Sequence, residues 1–176
     1  MSMTMFGRLS RSLRPVAMVS RRGVQTEAKL ESLGYKLPTP KPPLGSFSLC
    51  TRTGNMLYTA GHLPMNIDGD IMKGKVGQEV SEEQAKEAAK LVALNLIATL
   101  KKEIGDLDKV KRVVKLVGFV NCVDSYTGQP GVVNGASDLF GEVFGERGVH
   151  SRSAVGTNAL PLDVPVEIEA IVEVED

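Results

Sequence analysis

Val110-Lys111-Arg112-Val113-Val114-Lys115-Leu116-Val117-Gly118-Phe119-Val120-Asn121-Cys122-Val123 reads as one long β-strand, apolar on both faces. Alternation sends Val114, Leu116, Gly118 and Val120 one way and Val113, Val117, Phe119 and Val123 the other. A strand with two apolar faces has to be covered twice. The chain offers one helical stretch before this strand and one after it. Two helices can cover one side of a small sheet, so the economical cover for the second side is another copy of the chain.

The helix before the strand is announced by Ser81-Glu82-Glu83-Gln84, a capping box, and stopped by Gly105. Between them Ala85, Ala89, Val92, Ala93, Leu96 and Leu100 recur at helical spacing, and their small size lets the helix lie close to a sheet. The helix after the strand opens at Gln129-Pro130-Gly131, runs over 132–144 and stops at Gly145, with Val132, Ala136, Leu139, Phe140 and Val143 on its apolar side. Gly135 and Gly141 each weaken it by about 1 kcal/mol relative to alanine, so it depends on packing. Upstream, 46–51 and 56–59 read as two strands joined by the turn residues Thr53-Gly54-Asn55.

Past the second helix comes His150-Ser151-Arg152-Ser153-Ala154-Val155-Gly156. On a strand, the residues that follow Arg152 on its face are only Ala154 and Gly156. A guanidinium there needs an anion, either a carboxylate of a neighbouring strand or a bound ligand that its planar fork can grip with two parallel hydrogen bonds. The last strand alternates cleanly, with Val166, Ile168, Ala170, Val172 and Val174 inward and Glu167, Glu169, Ile171 and Glu173 outward. An antiparallel return would set it beside the Arg152 strand, where Glu167 or Glu169 meets Arg152 or its ligand. The alternative is a solvated sheet face.

The formal charge is zero, but Arg8, Arg11, Arg14, Arg21 and Arg22 all precede the first acidic residue, Glu27. Removing those five from the 21 basic residues leaves 16 against 21 acidic, a net charge of −5 for the body. An acidic body with no tryptophan disfavours a groove that works by phosphate neutralisation and base stacking. Residues 1–24 are rich in arginine and hydroxyls and carry an apolar face, the composition of a mitochondrial (matrix) targeting segment; otherwise they are a basic arm on a cytoplasmic protein. Residues 25–45 read as a connector: a short helix or turn at 27–34, then a proline-rich extended stretch. Residues 46–176 make one domain. Cys50 and Cys122 have no metal-type spacing and read as free thiols, a disulfide being the alternative. His62, after Gly61 and before Pro64, is either a hydrogen-bonded structural histidine or a base. No apolar run is long enough to span a membrane, and no cluster of residues implies a metal or cofactor.

Gly54-Asn55-Met56-Leu57-Tyr58-Thr59-Ala60-Gly61-His62-Leu63-Pro64 resembles the hairpin "GN-x(4)-SGQ-x-P" of the Rid, or YjgF, family of reactive intermediate deaminases, also labelled endoribonuclease L-PSP. Arg152-Ser153-Ala154-Val155, Leu160-Pro161 and Val166-Glu167-Ile168-Glu169-Ala170 resemble its signature "RS-x-V … LP … VEIEA". The Gly128-Gln129-Pro130 insertion looks like that of a longer-insertion subgroup. The resemblance implies an α+β, chorismate-mutase-like mixed sheet backed by two helices, assembled as a homotrimer with clefts between subunits. It implies hydrolysis of reactive enamines or imines to 2-oxo acids and ammonia, without a cofactor.

Residue by residue, it implies that Arg152 grips the substrate carboxylate and Glu167 orients the attacking water. Gly61 lines the cleft with backbone, and Asn134 falls where the family has a cleft asparagine. Phe47 stands where many members have tyrosine, His62 where glutamine is usual, Ala154 where some carry cysteine or threonine, and Gly156 where many carry glutamate. These departures redraw the pocket, so a trimer that binds a small carboxylate or a protein without catalysis is the alternative. An endoribonuclease fits less well, because the chain offers no histidine pair and its body is acidic.

Overall fold

The computed structural model describes residues 25–175. The targeting segment expected over 1–24 lies outside them. Two strands, β1 (Cys50–Thr53) and β2 (Met56–Thr59), form a hairpin across the Gly54-Asn55 turn, where Gly54 takes a φ of 55°. Ahead of them lies α1 (Gln25–Ser32) and after them α2 (Glu82–Ile104), β3 (Val110–Asn121), α3 (Gln129–Phe144), β4 (Ser151–Thr157) and β5 (Val166–Val174). The sheet runs β1-β2-β5-β3-β4, with β3 and β4 parallel through the α3 crossover and the other neighbours antiparallel.

The helix α2 begins and ends where its caps lie. Ser81 Oγ accepts the Gln84 N–H at 3.2 Å, Gln84 returns the bond to the Ser81 N–H at 2.9 Å, and Gly105 closes the helix at φ 77°. Both long helices pack on one face of the sheet, over Val113, Leu116 and Val120 of β3 and the five inward residues of β5, all buried. Gly118 of β3 lets α3 approach, since a Cβ there would stand 2.6 Å from Val133 Cγ2. The opposite face carries Val117, Phe119, Glu167, Glu169 and Ile171, half-exposed, with Tyr58 and Val155 more open still.

Four expectations are corrected. The first strand starts at Cys50 rather than 46, because Ser48 Oγ donates to the Cys50 carbonyl at 2.6 Å and bends the chain just before it. The strand β3 stops at Asn121 rather than 123. Val113 joins Leu116 on the helix face, because register shifts on either side of it break the strict alternation. Finally, β5 pairs with β3 and not with β4. The α3 crossover carries β4 to the sheet edge, and β3 fills the place between them.

Asn121, 1% exposed, fastens the end of β3 to the approach of β5: its amide donates to the Val164 carbonyl at 3.2 Å and to Asp163 Oδ1 at 3.3 Å, and its oxygen accepts Lys75 Nζ at 2.6 Å. The short helix α1 is fastened through Asp108, which accepts the N–H groups of Gln25 and Thr26, while Arg147 donates to the carbonyls of Asp108 and Val110. No helix of the described residues is long and apolar enough to cross a membrane. Both cysteines are unbridged.

Candidate functional site

The strand register decides how the expected site residues are distributed. Arg152 lies opposite Leu116 and Ala154 opposite Gly118, so Arg152 belongs to the helix face. Glu167 lies opposite Phe119, on the other face. Within one chain the two are separated by β3 and by the thickness of the sheet, so neither Glu167 nor Glu169 meets Arg152, contrary to the sequence expectation. The two side chains lie in separate settings, two candidate half-sites.

The first half-site is built on α3 and the edge strand β4. Arg152 Nη1 donates to Ser137 Oγ at 2.9 Å and Nη2 to the Pro130 carbonyl at 3.1 Å. Among the described residues no carboxylate pairs with it. Two of the five guanidinium N–H donors are used, and three remain for an anion. Ser137 is held in turn by His150, whose Nδ1 donates to the Gly148 carbonyl at 2.6 Å and whose Nε2 accepts the Ser137 hydroxyl at 3.0 Å. Burial lowers the pKa of His150, and the nearby Arg152 charge pushes the same way against the Gly148 bond. The neutral imidazole is therefore the favoured form, and it fixes which way Ser137 points. Pro130, Asn134 and Ser137 fall on one stripe of α3 at spacings of four and three, so Asn134, half-buried, lies between the two points that hold Arg152.

The second half-site surrounds Glu167. Relative to Tyr58↔Ile171, the pairing His62↔Ile168 has one extra residue on the 59–61 side. Thr59 Oγ1 fills the resulting gap by accepting the Ala170 N–H at 2.9 Å. The irregularity brings the Gly61 backbone against Glu167: a Cβ on Gly61 would fall on Glu167 Oε1 and stand 2.7 Å from its Cδ. Burial raises the pKa of Glu167, and the neighbouring Glu169 charge adds to the rise. A cavity of about 300 Å³ opens here, lined by Gly61 and Glu167, by Phe47 and the proline-rich 40–44 stretch, and by Asn95 and Thr99 of α2. His62 also borders it, but its Nδ1 donates to the Ala60 carbonyl and its Nε2 accepts the Thr99 hydroxyl, both at 2.8 Å, and burial lowers its pKa. It is a hydrogen-bonded wall rather than a free base.

Sequence reasoning gave no role to Ser137, His150 or the 40–44 wall. The signal for two of them was present: His150 shares a strand face with Arg152, and Ser137 shares a helical stripe with Asn134. Of the departures noted above, Ala154 continues the Arg152 face, and Gly156 leaves Cys122 Sγ and Gln129 Nε2 each 3.0 Å from where a Cβ would stand. Glu27, Asp106 and Asp108 bring three carboxylates within 4.8 Å of one another; Asp108 accepts the Gln25 N–H, Glu27 Oε1 the Leu107 N–H and Asp106 Oδ1 the Asp108 N–H, while Glu27 Oε2 is buried without a partner among the described residues.

Against known proteins, residues 27–173 match the family described as "YjgF/chorismate_mutase-like, putative endoribonuclease". The chain belongs to the YjgF, or Rid, family. Protein TCP17 of Trypanosoma cruzi is 42% identical over 150 residues, covering 85% of this chain and 94% of that protein. The crystal structure of Atu1372 from Agrobacterium tumefaciens, described as of unknown function, is 43% identical with a TM-score of 0.80, covering 85% of this chain and 92% of that one. A Shewanella oneidensis protein described as a "putative endoribonuclease" is 31% identical with a TM-score of 0.82, over 85% and 99% of the two chains. The fold is therefore the chorismate-mutase-like one of the YjgF proteins, a five-stranded mixed sheet backed by two long helices.

Proposed function

We propose that this YjgF family member hydrolyses reactive enamines and imines to 2-oxo acids and ammonia, in a cleft that forms where the Arg152 half-site of one copy meets the Glu167 half-site of another, within a homotrimer. The observation that carries the reading is the separation of two unspent charges: a guanidinium with free donors at a sheet edge, and a half-buried carboxylate on the opposite face. A single chain cannot unite them, and the apolar residues around Glu167 on the open face suit a second copy.

Arg152 grips the substrate carboxylate and fixes the imine over Glu167. Its setting on Ser137 and Pro130 means little is spent on ordering it when substrate arrives. Glu167, made more basic by burial, takes a proton from water as the water oxygen bonds to the imine carbon. The carbinolamine nitrogen then receives a proton, the C–N bond breaks, ammonia leaves and the C=O bond forms. Gly61 lets the reacting carbon approach Glu167 without a side chain between them.

The experiment follows ammonia release from freshly generated 2-aminoacrylate. Arg152→Ala and Glu167→Ala should each be inactive, and subunits of the two variants unfolded together and refolded should regain about a quarter of the wild-type rate, because a quarter of shared sites then receive both groups. No recovery in assembled mixtures refutes the shared site. Wild-type inertness with retained 2-oxo acid binding makes the protein a carboxylate binder instead. We read residues 1–24 as a mitochondrial import segment; a chain beginning at Gln25 should fold and stay in the cytosol, and its import would refute that reading.

A further inference from the structure

We infer that Ser137 is a nucleophile, with His150 as its base and Arg152 facing the oxygen that turns negative, and that the trio transfers acyl groups from small activated esters and thioesters to water. This activity is separate from imine hydrolysis, and its chemistry calls on neither Glu167 nor a second copy of the chain. The three side chains come from the middle of α3, the approach to β4 and β4 itself. Each is half-buried, so the trio is neither sealed in the core nor fully hydrated.

The hydrogen bonds fix where each proton sits. A carbonyl can only accept, so the Gly148 oxygen, 2.6 Å away, holds the His150 hydrogen on Nδ1 and leaves Nε2 bare toward the Ser137 hydroxyl at 3.0 Å. Close packing sets that carbonyl in turn: Gly148 lies on the Phe140 carbonyl, where a Cβ would fall on the oxygen. The Phe140 ring packs T-shaped against the imidazole, with centroids 6.1 Å apart and planes at 74°. Nucleophile, base and orienting group thus follow one another within hydrogen-bond reach. A hydroxyl oxygen has two lone pairs. In Ser137 one accepts Arg152 Nη1 at 2.9 Å and the other is free to attack. The guanidinium charge at that distance favours an alkoxide, and burial, which lowers the pKa of His150, keeps the imidazole neutral and able to accept a proton at pH 7.

The Ser137 oxygen bonds to the acyl carbon as its proton passes to Nε2. The carbonyl electron pair moves onto the carbonyl oxygen, which meets one of Arg152's three remaining N–H groups. That pair returns, the bond to the leaving oxygen or sulfur breaks, and the leaving group takes the proton from Nε2. Water, deprotonated by His150, then displaces the acyl group from Ser137 by the same route. Ester and water become acid and alcohol, or acid and thiol, with no co-reactant.

The test uses a fluorophosphonate probe, located by peptide mass spectrometry, and the burst of nitrophenolate from 4-nitrophenyl acetate, both on the full chain. Ser151 is the internal reference: it is exposed, stands next to Arg152 and donates its hydroxyl to the Val114 carbonyl instead of a histidine. Ser137 should be labelled at least about 100-fold faster than Ser151, and the burst should approach about one nitrophenolate per subunit. His150→Gln offers the hydroxyl an acceptor that takes no proton, so the serine keeps its place while labelling should slow at least about 100-fold. In the wild type the labelling rate should rise with pH through a value below the ordinary histidine range and then level. Ser137 labelled no faster than Ser151, or equally fast in His150→Gln, overturns the inference and leaves the pair as a mount for Arg152. A burst that persists in Ser137→Ala overturns it as well. Labelling without turnover of any imine leaves this inference standing and overturns the deaminase reading; imine turnover without labelling does the reverse.

Discussion

Gly135 and Gly141 lie in the same helix six residues apart, yet replacing each with alanine should move stability in opposite directions. In both cases the helix itself gains up to about 1 kcal/mol. A Cβ at Gly141 meets nothing within 4 Å, so the gain is kept, and the melting temperature of a domain this size should rise by roughly 2–4 °C. A Cβ at Gly135 falls on the Lys86 carbonyl of α2, with the carbonyl carbon 2.9 Å away. Backbone cannot rotate aside as a side chain can, so α3 has to lift from α2. Overpacking of that kind costs about 3 kcal/mol at the upper end. Set against the helical gain, the net loss is about 2 kcal/mol, or roughly 4–8 °C. Gly135 also sits between Pro130 and Ser137, so the lift carries Arg152's supports with it, and KM should rise as well. Scanning calorimetry of both variants at one protein concentration reads the signs directly. A Gly135→Ala protein as stable as wild type would refute the close helix crossing and the account of how Arg152 is held.

Other consequences are as specific. Gly61→Ala should abolish turnover while leaving the fold intact, since the new methyl displaces Glu167; circular dichroism beside the ammonia assay checks this. Because Glu167's pKa is raised in the folded chain, its ionisation opposes folding: below the unfolded carboxylate value no difference exists, and the penalty appears as pH rises through the folded value. Glu167→Gln should therefore melt higher than wild type at pH 7 and equally at about pH 4, and an unchanged melting temperature at pH 7 would count against the buried carboxylate. The acid limb of kcat/KM should lie above the ordinary carboxylate range and move down in Glu169→Gln, which removes the second cause of the shift. Ser137→Ala should raise KM about fivefold with kcat largely kept, Ser137→Thr should restore it, and wild-type KM should climb as pH falls through the lowered pKa of His150, where Nε2 ceases to accept the serine hydroxyl.

What could be read from the chain alone divides by range. The helix α2 was legible to the residue because Ser81, Gln84 and Gly105 act within one turn of the ends they set. The inward set of β5 was legible because alternation is local. Val113 was misassigned because register shifts, which depend on the partner strand, break that alternation in β3. The neighbour of β5 was misread for the same reason: strand order reflects a crossover, and nothing in 166–174 encodes it. Arg152 and Glu167 were singled out by their settings and by the family resemblance, but their placement on opposite faces needed the register of three strands. Glu82 and Lys86 stand four apart on α2, a spacing that suits a local pair, yet Tyr126 donates to Glu82 and Lys86 pairs with Asp138 of α3.

The Asn121 fastening has a consequence for how this chain can vary. Losing or gaining one residue between that clasp and Glu167 would turn the whole last strand over, sending acids into the hydrocarbon interior and valines to the wet side. A length change in the open turn at 66–70 disturbs little beyond itself. Insertions and deletions should therefore be absent from the 163–167 stretch of working copies, and an engineer lengthening this protein has to leave that short count untouched.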